Sequence, residues 1–200
     1  MVTNNPIYSS KATIFLIILY LAVYLANSLA LNITSLFNFN IFAIFNGQWW
    51  RLFTYPFFDP LFVFSLLGLL FFGSILERLL GPAQLLLIFF SIAAINGLAA
   101  IALYAIGFIA PIFALSLFHA YYIMLAAVIF APQFTISLMG ITQVNIRLIV
   151  IFFCIYLIIT MRLFLAPLLL AYLALSSLII MLLLGLLYRF NPFKRLISRN

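Results

Sequence analysis

Acid–base side chains are nearly missing from this 200-residue sequence. It holds two acids, Asp59 and Glu77, one histidine, His119, and one cysteine, Cys154. Charged residues make up 6% of the chain, where a soluble domain carries about 25%. So few charges cannot coat a water-exposed surface of this size, which excludes a soluble globular protein. With 69% hydrophobic residues the chain is not disordered either. Cys154 sits alone in an apolar run, so no internal disulfide forms and no redox compartment is implied. Strict apolar–polar alternation is lacking as well. Runs such as Leu85-Leu86-Leu87-Ile88-Phe89-Phe90 are continuous, whereas a transmembrane barrel alternates. What remains is an all-α polytopic membrane protein, with a mean hydropathy of +1.38. A crossing helix takes about 20 residues, which caps the spans at about eight.

The apolar runs and their breaks predict six spans. They run from about Thr13 to Leu31, Leu61 to Leu80, Ala83 to Ile106, Ile112 to Phe130, Ile146 to Met161 and Leu163 to Tyr188. Gly81-Pro82, Gly107 with Pro111, and Pro132 mark breaks. The opening Met1-Val2-Thr3-Asn4-Asn5-Pro6 is polar and has no small-residue cleavage site, so the first span is expected to be retained. Between the first two spans, Asn32 to Pro60 mixes Asn38, Asn40, Asn46 and Gln48 with Phe37, Phe42, Phe45, Trp49 and Trp50. Rings mixed with amides suit the membrane–water interface. This stretch is expected to lie there as short helices and loops. Gln133 to Asn145 reads as a polar-leaning loop.

Orientation follows from the bases. An even number of spans puts both termini on one side. Lys11, Arg78, Arg147, Arg189, Lys194, Arg195 and Arg199 fall on that side, against Arg51 and Arg162 on the other. The positive-inside rule makes the first side cytoplasmic, and the plasma (inner) membrane is the expected location. The net charge of +7 is thus a topology signal and calls for no nucleic-acid partner. The basic tail, residues 189–200, also suits anionic headgroups.

Two stretches are more specific than composition: Asn46-Gly47-Gln48-Trp49-Trp50-Arg51-Leu52-Phe53-Thr54-Tyr55-Pro56-Phe57 and Phe71-Phe72-Gly73-Ser74-Ile75-Leu76-Glu77-Arg78-Leu79-Leu80-Gly81. Together they resemble the rhomboid superfamily of intramembrane serine proteases. There a Gly-x-Trp-Trp-Arg-Leu-x-Thr stretch ends the first loop and a Gly-Ser-x-Leu-Glu-x-x-x-Gly stretch closes the second span. The resemblance implies a six-helix rhomboid-like bundle with an interfacial first outer loop. The motif residues Trp49, Trp50, Arg51, Gly73, Glu77, Arg78 and Gly81 read as architecture. Arg51 can bond loop carbonyls and stack on an indole. Glu77, a carboxylate near the bilayer, must be paired or bonded to amides. It is expected to fasten a helix end or loop, with Arg78 or Arg147 as candidate partner.

The resemblance also implies a Ser–His dyad: a Gly-x-Ser-Gly nucleophile opening the fourth span and a His base in the sixth. Here Ala114-Leu115-Ser116-Leu117 keeps the Ser and lacks both glycines. Those glycines give the oxyanion access to backbone amides. Counting back from Gly185 puts Ser176-Ser177 at the expected glycine pair and Ala174 at the base. Counting back from Gly73 puts Ser65 and Leu61 where an oxyanion Asn and a His belong, behind Asp59-Pro60. His119 stands three residues after Ser116, on the same helix face. It is either a displaced base for Ser116 or a buried neutral His bonded to a carbonyl, the commoner situation. Ser91, Ser116, Ser176 and Ser177 also read as helix-packing residues, and Asn96-Gly97 as a packing notch.

The favoured function is a catalytically degenerate rhomboid-like protein which, like the inactive derlins, binds transmembrane segments of client proteins. The alternative is an active intramembrane serine endopeptidase with Ser116 as nucleophile and His119 as base. A transporter or channel would need intramembrane charges and matching interrupted halves, which are missing. No metal and no cofactor is expected; the lipid bilayer is the certain partner.

Overall fold

The computed structural model describes residues 10–29, 33–58, 62–105, 107, 115–131, 135–138, 142–153, 155, 172 and 176–183. Most of them are helical. Helix α1 covers Lys11–Ser28. Three short helices follow: α2 (Thr34–Phe37), α3 (Ile41–Phe45) and α4 (Arg51–Thr54), the last running into a 3-10 turn at Tyr55–Phe57. Helix α5 (Phe62–Gly68) passes through a π-turn at Leu69–Gly73 into α6 (Ser74–Leu80). Helices α7 (Pro82–Ala105) and α8 (Leu115–Phe130) come next. Strands β1 (Thr135–Leu138) and β2 (Thr142–Asn145) form an antiparallel hairpin, with Thr135 opposite Asn145 and Leu138 opposite Thr142. Residues 146–153 and 176–183 are helical.

Among the described residues, α1 and α7 are long and apolar enough to cross a membrane, and the apolar stretch Phe118–Phe130 is shorter. The sequence places the first helix a little late, since α1 begins at Lys11 and ends at Ser28. The reason is a cap supplied from elsewhere. Ser10 occupies the N-cap position without making a side-chain cap, and its hydroxyl is buried without a partner among the described residues. The Glu77 carboxylate caps instead. It accepts from the backbone N–H of Ala12 at 2.9 Å, that of Thr13 at 2.8 Å, and the Thr13 hydroxyl at 2.7 Å. A negative group at a helix N-terminus meets the free amides and the positive end of the dipole. Glu77 therefore fastens a helix end, through donors of the first turn of α1.

Three further features locate the packing. Gly81, at φ +96°, ends α6 in a conformation that favours glycine, and Pro82 opens α7. The second apolar run is not one regular helix, because the π-turn interrupts it at its middle. Gly97, at the centre of α7, leaves room for the outer-loop segment: a Cβ there would lie 2.7 Å from Leu52 Cδ2 and 3.2 Å from Phe39 Cε2. The packing notch is thus real, and it seats α4 on α7. Tyr20, Phe57, Phe89 and His119 then pack ring against ring in sequence through the centre, edge-to-face at both ends. Their ring centroids lie 4.9 Å (Tyr20–Phe57), 5.6 Å (Phe57–Phe89) and 4.4 Å (Phe89–His119) apart. Outside, Phe15, Ile18 and Leu25 of α1 and Leu87 and Leu98 of α7 are exposed. Apolar groups that face outward along both long helices suit a lipid surrounding.

One expectation changes, and two lie mostly beyond the described residues. The predicted loop at Gln133–Asn145 contains the β-hairpin, whose Thr and Val residues suit extended backbone. The fifth and sixth predicted spans, Ile146 to Met161 and Leu163 to Tyr188, lie largely outside the described residues, as does Cys154.

Glu77→Gln retains the size of the side chain but only one carboxyl-type acceptor oxygen. One α1 amide is left facing an NH2 group, at a cost of about 1–3 kcal/mol. Thermal unfolding in detergent should show a lowered midpoint, with faster hydrogen exchange at Ala12 and Thr13. An unchanged midpoint would show that the cap contributes nothing.

Candidate functional site

Arg51 organises the segment of residues 33–58. It is 5% exposed, and each of its three nitrogens donates to an oxygen. Nε donates to Gln48 Oε1 at 2.7 Å, Nη1 to the Asn38 carbonyl at 2.7 Å and Nη2 to the Ser35 carbonyl at 2.8 Å. A guanidinium presents its donors in a fixed planar fork, so one side chain ties three points of chain together. Thr54 adds a bond from its hydroxyl to the Phe37 carbonyl at 2.8 Å. Trp50 Nε1 donates to the Leu36 carbonyl at 3.3 Å. The indoles of Trp49 and Trp50 are themselves exposed. The expected stack of Arg51 on an indole is not among its contacts; carbonyl oxygens hold it. Asn40 caps α3 by accepting from the Ala43 N–H at 3.1 Å.

Inward from this segment lies a buried polar network that the sequence reading did not assemble. Asn96 sits in the middle of α7 and is fully buried. Its Nδ2 donates to the Tyr55 hydroxyl and to the Leu115 carbonyl, both at 3.0 Å. Tyr55 passes its own proton to the Ala93 carbonyl at 3.2 Å. Tyr172 donates to the Asn96 backbone carbonyl at 2.9 Å and also contacts Asn96 Oδ1. Ser176 donates to the Tyr172 carbonyl at 2.6 Å and bonds the Tyr122 hydroxyl. The Leu115 carbonyl can only accept, so the amide nitrogen of Asn96 must face it and Oδ1 faces Tyr172. The network joins the 3-10 turn, α7, α8 and the last described helical stretch.

Ser116 and His119 are both buried on α8. The His119 Nε2 lies 3.0 Å from the Phe89 carbonyl. A carbonyl only accepts, so Nε2 carries the proton and the ring is anchored to α7. Its edges meet the rings of Phe89 and Tyr55. No hydrogen bond joins Ser116 to His119 among the described residues. Ser65 is buried on α5, and Ser176 belongs to the network above. Ala114, Ala174, Leu61, Asp59 and Pro60 lie outside the described residues. Tyr172 and Ser176 stand two residues to either side of the position expected for a base. Gly73 closes the π-turn, Arg78 is exposed, and Gly81 ends α6. Among the described residues no group of three or more His, Cys, Asp or Glu side chains is placed to hold a metal.

A carboxamide in the middle of a 24-residue apolar helix, well away from Gln84 near its start, was the available signal for the hub, because an amide there must find partners. Tyr55, Tyr122 and Tyr172 gave none, since tyrosine is common in this chain and their positions share no spacing.

Arg51→Lys replaces the fork with a single ammonium. It should cost about 1.5–3 kcal/mol, the range for a lost charge-assisted bond, and open residues 33–58 to limited proteolysis. Proteolysis at the parent rate would mean that the shape of the fork is not needed.

No protein-family model matches the chain, and neither a curated protein nor a solved structure matches it.

Proposed function

We propose that this chain is a catalytically degenerate rhomboid-like membrane protein that binds transmembrane segments of client proteins. In this reading six spans form the bundle, both termini lie in the cytoplasm, and the Trp49-Trp50-Arg51 segment rests in the outer interface. The observation that carries the reading is the state of the only histidine. His119 Nε2–H is engaged by the Phe89 carbonyl, and no hydrogen bond links its ring to Ser116. A serine hydroxyl attacks a peptide carbonyl only when a base removes its proton. Among the described residues Ser116 has no such arrangement, and Glu77, the one described carboxylate, is committed to α1.

Client binding has a physical basis in the same features. A helix in lipid that carries an unsatisfied polar group gains by meeting hydroxyls and amides. The interior of this protein offers such groups in Asn96, Tyr55, Tyr122, Tyr172 and Ser176. The exposed apolar faces of α1 and α7 support the bilayer as surrounding medium.

Reconstitution in liposomes with a fluorescent transmembrane substrate tests this. The reading predicts no cleavage, no fluorophosphonate labelling of Ser116, and photo-crosslinking to a segment with a mid-membrane Asn or Ser. Cleavage that vanishes in Ser116→Ala, with labelling of Ser116, would establish the active-peptidase alternative and overturn the proposal.

A further inference from the structure

The corner where α1 begins and α6 ends gathers positive charge. The N-terminus of a helix is the positive end of its dipole, so a base on the first residue is disfavoured there. Helix α1 nevertheless opens on Lys11, and its first turn contains no acid. Glu77 compensates from outside, with both carboxylate oxygens turned to α1 donors. Next to Glu77, in the last turn of α6, stands Arg78. Lys11 and Arg78 are both exposed. One hydrogen bond, from the Ala12 N–H to Glu77 Oε1 at 2.9 Å, joins the two backbones. Lys11 and Arg78 are the chain neighbours of its two ends, so their long side chains start within reach of one small anion. The one described carboxylate at this corner is already engaged by α1.

The depth of the corner says which anion. Helix α1 is long enough to cross a membrane, and its 18 residues roughly match the hydrocarbon thickness. Its first turn then stands at the level of the headgroups, and the Glu77 bonds hold the end of α6 at the same level. Phosphates are the anions of that layer. An arginine presents a planar fork that matches two phosphate oxygens, and a lysine adds a compact point charge.

We propose that Lys11 and Arg78 form a binding site for the phosphate of an anionic phospholipid headgroup, assembled by the Glu77 cap that brings the two bases together. The site rests on the membrane reading and on no client, substrate or likeness to a protease. It differs from charge spread over a whole face, because it needs two particular bases on two elements that one bond holds together.

The test uses the full chain in a neutral detergent. Bound lipids are counted by native mass spectrometry during titration with phosphatidylglycerol, phosphatidylcholine or inorganic phosphate. The first phosphatidylglycerol should bind more tightly than phosphatidylcholine. Lys11→Gln and Arg78→Gln should each weaken it by about fivefold, the share of one base near an anionic surface. Lys11→Arg should retain it, and so should Arg147→Gln, a change at an exposed base on another element. Inorganic phosphate should not displace the lipid. The lipid-free thermal midpoint of Lys11→Gln should not fall, since the change removes a charge of the wrong sign from the α1 N-terminus. Unchanged phosphatidylglycerol affinity in Lys11→Gln and Arg78→Gln would overturn the proposal. Equal weakening by Arg147→Gln would overturn it by marking diffuse charge, displacement by inorganic phosphate by marking a free-anion site, and a lowered midpoint by marking Lys11 as structural. A chain that stays monomeric in buffer without detergent would remove the membrane reading and the site with it.

Discussion

Inside an apolar surrounding a polar group has no water to fall back on, so each one must be satisfied by the chain itself. That constraint sets the structure of this protein. Its few strong polar groups are distributed as three fastenings. Arg51 ties the outer segment through Gln48, Asn38 and Ser35. Asn96 ties the middle through Tyr55, Leu115 and Tyr172. Glu77 ties α6 to the first turn of α1. Apolar packing fills the space between them, with Leu16, Ile44, Leu76, Phe89, Ile92 and Phe118 fully buried. Oil-like side chains alone would leave the helices free to slide, since lipid is as apolar as leucine. The polar fastenings supply register.

The same constraint bears on function. Among the described residues the carboxylate and the imidazole that could do acid–base work are both used to hold the fold. The Glu77 carboxylate caps a helix, and the His119 imidazole donates to Phe89. A protease of this type needs a histidine held loosely enough to take and return a proton beside a serine. Here the histidine is wedged among rings and bonded to a backbone carbonyl of the neighbouring helix. The proposed client-binding role asks for less: hydroxyls and amides in an apolar interior, and a way in.

Scarcity made part of this legible in the sequence. Glu77 and Arg51 could be read as fasteners because a charge in such a chain has to be paid for by bonds, and the structure supplies those bonds. The carbonyl-bound reading of His119 rested on the same logic. Asn96-Gly97 was read only as a notch. Gly97 is one, beneath Leu52 and Phe39, but Asn96 is the hub of the interior. Its partners are Tyr55, Leu115 and Tyr172, with Ser176 and Tyr122 one bond further on, far apart in the chain, and no local pattern brings them together. The π-turn at Leu69–Gly73 was also invisible, because its residues are as apolar as the helices on either side. The β-hairpin was hidden in a stretch too short and mixed to show alternation.

The central claim is that the interior is held by coupled polar bonds rather than by independent contacts. A double-mutant cycle on Asn96→Leu and Tyr172→Phe, read by unfolding in detergent, tests it most directly. The account predicts a coupling energy of about 1 kcal/mol or more between the two positions. Effects that add within about 0.3–0.5 kcal/mol would contradict it.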